Sequence, residues 1–427
     1  MAKKHELILK KVLEEIVPKK KEMDEMVSLL ENFKKKLDSR IRELKIDAEI
    51  FVGGSFAKNT LVKKDVYDAD LFLRFNPKYK EEEFTKLAKK ILKKTKKVSV
   101  VHGSRDYFKI KVNPNFFFEI IPVKKVKNPR ESENITDLSY SHVKYIKKKV
   151  KSKKIIDGIK LAKVFCYGTK TYGAESYVHG FSGYSLELLV HYYGGVLEML
   201  KTLVKEDKEK IIVDIEKEYK RKQDVLLDMN SSKLDSPIIL IDPTFKGRNA
   251  LAALSDETFG IFKENAKEFL KNPDKKFFEL QEINLKKIKA KALRQNKEFV
   301  VIKTKTKRQE GDIAGTKLLK FHRHLIFEIK KYFEISETGF RYVGNKIGES
   351  YFVLKKKEFI LFSGPSIKDK KNVLKFQKEH PKTAVEEGFL FAKEKNLFDS
   401  KGFFKFWMKK NKRKIRQMYV SRFRVFD

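Results

Sequence analysis

A multidomain α+β fold is what the sequence predicts, and three observations carry that prediction. Short apolar runs of strand character are interleaved with a helical stretch in the first 150 residues. A mostly helical region follows, and from Phe277 onward strands and helices mix again. With 427 residues the chain has room for two to four domains of ordinary size.

The elements follow from hydrophobic periodicity. Leu7, Leu9, Val12, Leu13 and Ile16 recur at helical spacing, Pro18 interrupts, and Met23, Met26, Leu29, Leu30, Phe33 and Leu37 resume it, so residues 4–45 read as two helices. Ile50 to Val52 reads as a short strand ending at Gly53-Gly54, with Ser55 as N-cap of a short helix. A strand is expected from Asp68 to Phe75, a helix over Glu81 to Leu92, and strands over Val98–Val101, Tyr107–Val112 and Phe116–Val123. That order suggests a small mixed sheet with helices packed on one face. Residues 140–203 read as helices broken near Thr169–Gly173 and Gly180–Gly183. Residues 211–227 read as a charged helix, Ile238–Ile241 as a buried run, and 250–271 as helix. Further on, Phe299–Ile302, Arg341–Val343, Tyr351–Leu354 and Phe359–Phe362 read as strands around a helix at Lys317–Tyr332. Domain boundaries are placed near 150 and 275, giving segments 1–150, 151–275 and 276–427.

Composition narrows the class of protein. The chain carries 97 Lys+Arg against 58 Asp+Glu, a formal net charge of +39. Such a field attracts polyanions, and nucleic acid is the first candidate because each neutralised phosphate releases counterions. The single cysteine, Cys166, excludes an intrachain disulfide and a multi-cysteine zinc site. No secretory h-region follows Met1 and no apolar run reaches bilayer-spanning length, so a soluble cytoplasmic protein is expected, with no membrane partner.

The chemistry concentrates in one stretch. Asp68-Ala69-Asp70 lies thirteen residues after Ser55. In a strand alternate side chains share a face, so Asp68 and Asp70 project together. Two adjacent carboxylates repel, and a hard divalent cation relieves the repulsion; Mg²⁺ suits carboxylates combined with phosphate oxygens. Glu119 alternates with Phe117 and Ile121 and can reach the same face from a neighbouring strand. Backbone N–H groups after Gly54 and the Ser55 hydroxyl suit a triphosphate, and Lys58 can add positive charge. Two metals could then clamp the attacking and leaving oxygens of an in-line phosphoryl displacement. An Asp-x-Asp pair alone means little among 58 acids; the order of turn, short helix, acid pair and later acid is what raises the odds.

Gly54-Ser55-Phe56-Ala57-Lys58-Asn59-Thr60 with Asp68-Ala69-Asp70-Leu71-Phe72-Leu73 resembles the signature of the DNA polymerase beta-like nucleotidyltransferases, and within them the archaeal (class I) CCA-adding enzymes, which are tRNA nucleotidyltransferases. The resemblance continues through Glu119-Ile120-Ile121-Pro122, Asp137 to His142, Lys163, Tyr172 to Glu175, Gly180 to Tyr184, Glu187 to Leu189, Ile241-Asp242-Pro243, Arg248-Asn249 and Ala252 to Leu254. It implies a nucleotidyltransferase head with a five-stranded mixed sheet, a helical neck, and an α+β body and tail. It implies Asp68, Asp70 and Glu119 as metal ligands, and Ser55, Lys58, His142, Lys163 and Tyr172 as contacts to bound ATP or CTP. Arg248 would read the base edge together with tRNA backbone phosphate. Taken alone, His142 reads as a hydrogen-bonded helix histidine, Lys163 as solvated and Tyr172 as a core ring; the resemblance brings them to the site. Two residues depart from the pattern: Glu119 stands where aspartate is usual, and Lys58 where arginine is common. These leave room for a slow or specialised enzyme.

Residues 286–308 hold ten basic residues and one acid, and residues 401–427 ten basic residues and one acid, the latter interleaved with Phe403, Phe404, Phe406, Trp407, Tyr419, Phe423 and Phe426. Rings packed inside and charges turned toward RNA would satisfy both a core and a binding reading. The expected partners are therefore tRNA, CTP and ATP, with Mg²⁺ as cofactor; oligomeric state stays open and is compatible with a homodimer. A poly(A) or other terminal nucleotidyltransferase, and an RNA-binding protein with a degenerate site, are the competing readings.

Overall fold

A computed structural model describes residues 2–102, 105–132, 134–280 and 283–426. The chain divides into two compact units, 1–281 and 282–427.

The first unit opens with helices α1 (Ala2–Ile16) and α2 (Lys20–Glu43), separated at Pro18 as the periodicity predicts. A five-stranded sheet follows: β1 (Ala48–Val52), β2 (Tyr67–Phe75), β3 (Val98–Val101), β4 (Tyr107–Asn113) and β5 (Phe116–Lys124), in spatial order β1-β2-β5-β4-β3. Only the β2–β5 pair is parallel, so the sheet is mixed. Alternation along β2 sorts its side chains. Ala69, Leu71, Leu73 and Phe75 are buried in a core shared with Met26, Leu30, Leu37 and Ile41 of α2. Phe84, Ala88 and Ile91, from a helix over Glu81–Leu92, complete that core. Asp68, Asp70, Phe72 and Arg74 therefore take the opposite face. One turn, α3 (Gly54–Ala57), joins β1 to the loop before β2.

A helical layer continues the unit: a helix over Ser139–Lys149, then Lys153–Gly168, Gly183–Tyr192, Val196–Lys205 and Asp256–Lys271. Its core includes Phe165, Phe181, Leu186, Phe262 and Phe269, and also Leu9 and Val12, so α1 packs here and not on the sheet. The stretch 211–227, read from its charge as a helix, is different. Ile211–Val213 forms β6, parallel to the wholly buried β7 (Ile238–Asp242), which pairs antiparallel with β8 (Phe245–Asn249); helix appears only at Lys222–Asp228. Three consecutive β-branched residues find a strand partner here, and tertiary pairing overrides the helical charge pattern.

The second unit has two antiparallel sheets. One joins β9 (Glu298–Thr306), β10 (Phe333–Tyr342), β11 (Ile347–Lys356) and β15 (Val420–Phe426) in the order β10-β11-β9-β15. The other joins β12 (Phe359–Ser366), β13 (Thr383–Glu386) and β14 (Phe389–Lys395) in the order β12-β14-β13. Val300 and Ile302 turn inward to Leu318, Phe321 and Leu325 of the helix Asp312–Ile329, and Phe403, Phe404 and Trp407 complete that core.

Candidate active site and nucleic-acid face

Asp70 and Glu119 are register partners on the parallel strands β2 and β5, with Asp68 two residues back on the same face. Adjacent strands lie about 4.8 Å apart, so the three carboxylates feel one another. Asp70 shows the consequence: burial, then the charges of Asp68 and Glu119, push its carboxyl up to about 7. Burial also raises Glu119, against the pull of Lys109, whose ammonium lies 3.3 Å away. Lys64 stands 3.7 Å from Asp68. Among the described residues no three such side chains are gathered into a ready cation cage. The chemistry of the set nevertheless fits a hard divalent ion: three carboxylates share one sheet face, and that of Asp70, half-buried, is destabilised by its neighbours' charge.

The turn before α3 closes over this acid. The Gly53 N–H donates to the Asp70 carbonyl at 2.8 Å. Gly54 has φ +61, and a Cβ placed on it would lie 1.8 Å from Asp70 Oδ2, so glycine is required by both conformation and space. The cap of α3 is Gly53, not the expected Ser55, because the helical turn already begins at Gly54. Among the described residues the Ser55 hydroxyl makes no hydrogen bond within the protein.

Lys58 and Lys163 converge, although on a partner the sequence did not announce. Lys58 Nζ donates to Glu187 Oε2 at 2.6 Å, and Lys163 Nζ to Glu187 Oε1 at 3.2 Å and to Thr60 Oγ1 at 2.8 Å. Glu187 is fully buried. Burial and the neighbouring Lys58 bring Lys163 down to about 8 against the pull of Glu187. Tyr172 borders the group: its ring stacks on Tyr167 at 4.0 Å, and its hydroxyl sits where a side chain on Gly183 would go, next to Lys163.

A second buried acid, Asp242 at the end of β7, organises His142 and Arg248. Its carboxylate faces His142 Nε2 at 3.0 Å and accepts from Tyr184 Oη at 3.0 Å, Thr244 N at 2.9 Å and Arg248 Nη1 at 2.5 Å. The His142 ring stacks on Tyr184 at 3.9 Å. Burial alone would raise the Asp242 carboxyl, but His142 and Arg248 hold it well below the usual range, while burial lowers His142. Asp137, just before the His142 helix, accepts from Lys124 N at 2.8 Å and so fixes that helix to the end of β5. The structure thus assembles two subclusters from the expected residues, one around Glu187 and one around Asp242. Both acids lie in stretches that carry the resemblance, Glu187 to Leu189 and Ile241-Asp242-Pro243, but neither is assigned a role there, although an acid ending the apolar run Ile238–Ile241 is a usable signal. Removing the hub charge by Asp242→Asn is expected to cost about 3 kcal/mol, since Arg248 and His142 lose a buried partner. A urea melt at pH 7 checks this, and an unchanged midpoint would refute the hub. The depressed carboxyl contributes this stability above its unfolded pKa and loses it as pH falls through the lower folded value.

In the second unit the basic residues gather on one sheet face. Register places Arg422 opposite Lys305, Arg424 opposite Lys303, and Lys303 and Arg341 on either side of Glu349. This is the face turned away from Val300 and Ile302. The rings divide: Phe403, Phe404 and Trp407 are buried, whereas Tyr419 and Phe426 are exposed, with Arg308 stacked 3.8 Å from the Tyr419 ring centre.

The five-stranded sheet with acids on its open face, followed by a helical layer, defines a nucleotidyltransferase-type fold. Residues 30–137 match the family described as "Nucleotidyltransferase domain", and residues 157–279 the family described as "tRNA nucleotidyltransferase, second domain". A solved cytoplasmic RNA terminal U-transferase superimposes with a TM-score of 0.51 at 14% identity, covering 66% of this chain and all of that one, and so shares the fold. By sequence the chain is a relative of the archaeal CCA-adding enzymes. It is 38% identical to that of Nanoarchaeum equitans over 225 residues, 52% of this chain and 56% of the relative. It is 27% identical to that of Methanocaldococcus jannaschii over 399 residues, 91% of this chain and 87% of the relative. The chain thus spans little more than half the length of the first relative, and most of the second.

Proposed function

We propose that the protein adds C, C and A to the 3′ end of tRNA from CTP and ATP, without a nucleic-acid template. The observation that carries this reading is the set Asp68, Asp70 and Glu119 on adjacent strands beneath the Gly54 turn. In the reaction the terminal hydroxyl of the RNA attacks the α-phosphate of the nucleotide, and pyrophosphate leaves. Asp68, Asp70 and Glu119 would hold Mg²⁺, which supplies charge stabilisation at the attacking and leaving oxygens. Glu119, whose side chain keeps 20% of its surface exposed, would accept the hydroxyl proton. Lys58, Lys163 and the Ser55 hydroxyl face the triphosphate, and Tyr172 borders them. Arg248, with His142 held on Asp242, orients the base edge and an RNA phosphate. The Arg422, Arg424, Lys303 and Lys305 face holds the duplex backbone by charge and shape, as A-form RNA requires. A cytoplasmic location belongs to the same proposal; among the described residues no helix is long and apolar enough to cross a membrane.

The deciding experiment supplies tRNA ending at the discriminator base with CTP and ATP, separately and together. Arrest after three additions is expected. Long A tails would instead identify a poly(A)-type terminal transferase, and no incorporation despite tight binding would identify an RNA-binding protein with a degenerate site. Affinity for tRNA should also fall by about 10³-fold between 50 and 200 mM salt if some six phosphates are contacted. A flat salt response in a filter-binding titration would remove the phosphate-dominated interface.

A further inference from the structure

Glu187 is the most deeply buried charged group in the first unit that the mechanism leaves unused. It has no exposed surface, yet it carries two lysines and a threonine: Lys58 Nζ at 2.6 Å on one oxygen, Lys163 Nζ at 3.2 Å and Thr60 Oγ1 at 3.0 Å on the other. The three partners come from two segments. Lys58 and Thr60 belong to the loop after α3, which leads to the acid-bearing strand; Lys163 and Glu187 sit on the helices Lys153–Gly168 and Gly183–Tyr192 of the helical layer. Lys163 Nζ also donates to the Thr60 carbonyl at 3.2 Å, so the loop is held by main chain as well as side chain.

Two ammonium groups side by side in a buried site repel and lose hydration, and either effect favours releasing a proton. A single carboxylate between them offsets both. We propose that Glu187 is a positioning residue for the nucleotide site: its buried carboxylate holds Lys58 and Lys163 adjacent and aimed from two segments at one triphosphate. The pair with Glu187 retains a net positive charge, which suits an incoming polyanion, and the loop from Lys58 to Thr60 is fixed before the ligand arrives. This preorganisation is the property that lets binding energy act on the reacting phosphate and not on loop ordering. The charged and titratable groups facing the cluster are Lys58 and Lys64 from the loop, Asp70 from β2 and His142 from the helix Ser139–Lys149, both near Lys58, and the Tyr172 phenol near Glu187.

The inference rests on the nucleotide-binding reading above, and the experiment separates the two. Calorimetric binding of CTP and of ATP to the full chain is measured from pH 6 to 9 for wild type, Glu187→Gln and Glu187→Asp. In the wild type, affinity should fall as pH rises through about 8, where Lys163 releases its proton. Glu187→Gln, which keeps the shape and loses the charge, is expected to bind about 10-fold more weakly at pH 7, with the midpoint of the pH-dependent loss moved down by at least one unit. Glu187→Asp should recover most of the affinity and restore the midpoint toward the wild-type value. A purely structural glutamate would lower the melting temperature without moving that midpoint, and an unmoved midpoint in a folded Glu187→Gln overturns the proposal. If the glutamine variant does not fold, the aspartate variant decides: a folded Glu187→Asp that binds 10-fold or more weakly, with no recovery of the midpoint, overturns the proposal, because the carboxylate charge is still present. Failure of the wild type to bind either nucleotide defeats the functional reading itself, whereas wild-type binding with an indifferent Glu187→Gln defeats only the role of Glu187.

Discussion

Asp70→Asn is expected to abolish nucleotide incorporation while making the metal-free protein more resistant to heat at neutral pH. Both effects come from one carboxylate. Burial and the charges of Asp68 and Glu119 raise its folded pKa from 3.8 to about 7. Between those values the folded state keeps a proton that the unfolded chain has released. Stability attributable to Asp70 is therefore intact at low pH and declines as pH rises from about 4 to 7. Asparagine never ionises and escapes that decline. In EDTA, the melting temperature of the variant relative to wild type should climb between pH 4.5 and 7.5, and a wild type more stable at pH 7.5 would refute the electrostatic account. Activity moves the other way. If Asp70 holds the proposed metal, losing its charge removes about 4 kcal/mol of transition-state stabilisation, a fall of ~10³-fold or more in incorporation. Asp68→Ala should behave similarly in activity. Affinity for tRNA should stay nearly unchanged in both, because phosphate contacts to basic side chains dominate it. Normal turnover by either variant would refute the metal assignment.

The contrast between this acid trio and the two buried hubs shows where sequence reasoning reaches and where it stops. The trio was legible because its logic is local: alternation puts Asp68 and Asp70 on one face, and the pattern of strands brings Glu119 beside them. The five strands of the first sheet were legible for the same reason, and so was the break at Pro18. Glu187 and Asp242 lie within the stretches that carry the resemblance, but the sequence assigns neither a role. The hydrogen bonds that explain them join residues 129 and 100 positions apart, and in a chain with 58 acids a buried carboxylate reads like any solvated one. The final strand was hidden differently. Val420, Arg422, Arg424 and Phe426 alternate, but with arginines on the open face the stretch resembles a basic tail until its pairing with β9 is known. The rings of 401–427 likewise could not be sorted by spacing into the buried Phe403, Phe404 and Trp407 and the exposed Tyr419, because tertiary packing alone decides which ring finds a core.

Gly54→Ala tests the turn that covers the acids, and its expected signature is a modest loss of stability with a large loss of rate. An L-residue at φ +61 costs about 1–2 kcal/mol, which in a unit of this size is a melting shift of a few degrees. The new methyl carbon would begin 1.8 Å from Asp70 Oδ2, so the carboxylate or the turn has to move by more than 1 Å. Displacement of about 1 Å at a reacting centre costs on the order of 10²-fold. Gly388→Ala separates the two contributions. Gly388 has φ +79 but nothing within 4 Å of its added carbon, so it should share the stability loss and keep the rate. Incorporation by Gly54→Ala at the rate of Gly388→Ala would mean that the turn and Asp70 do not depend on each other. A drop confined to Gly54→Ala would tie the glycine to the carboxylate, because backbone strain is common to both variants and only the collision differs.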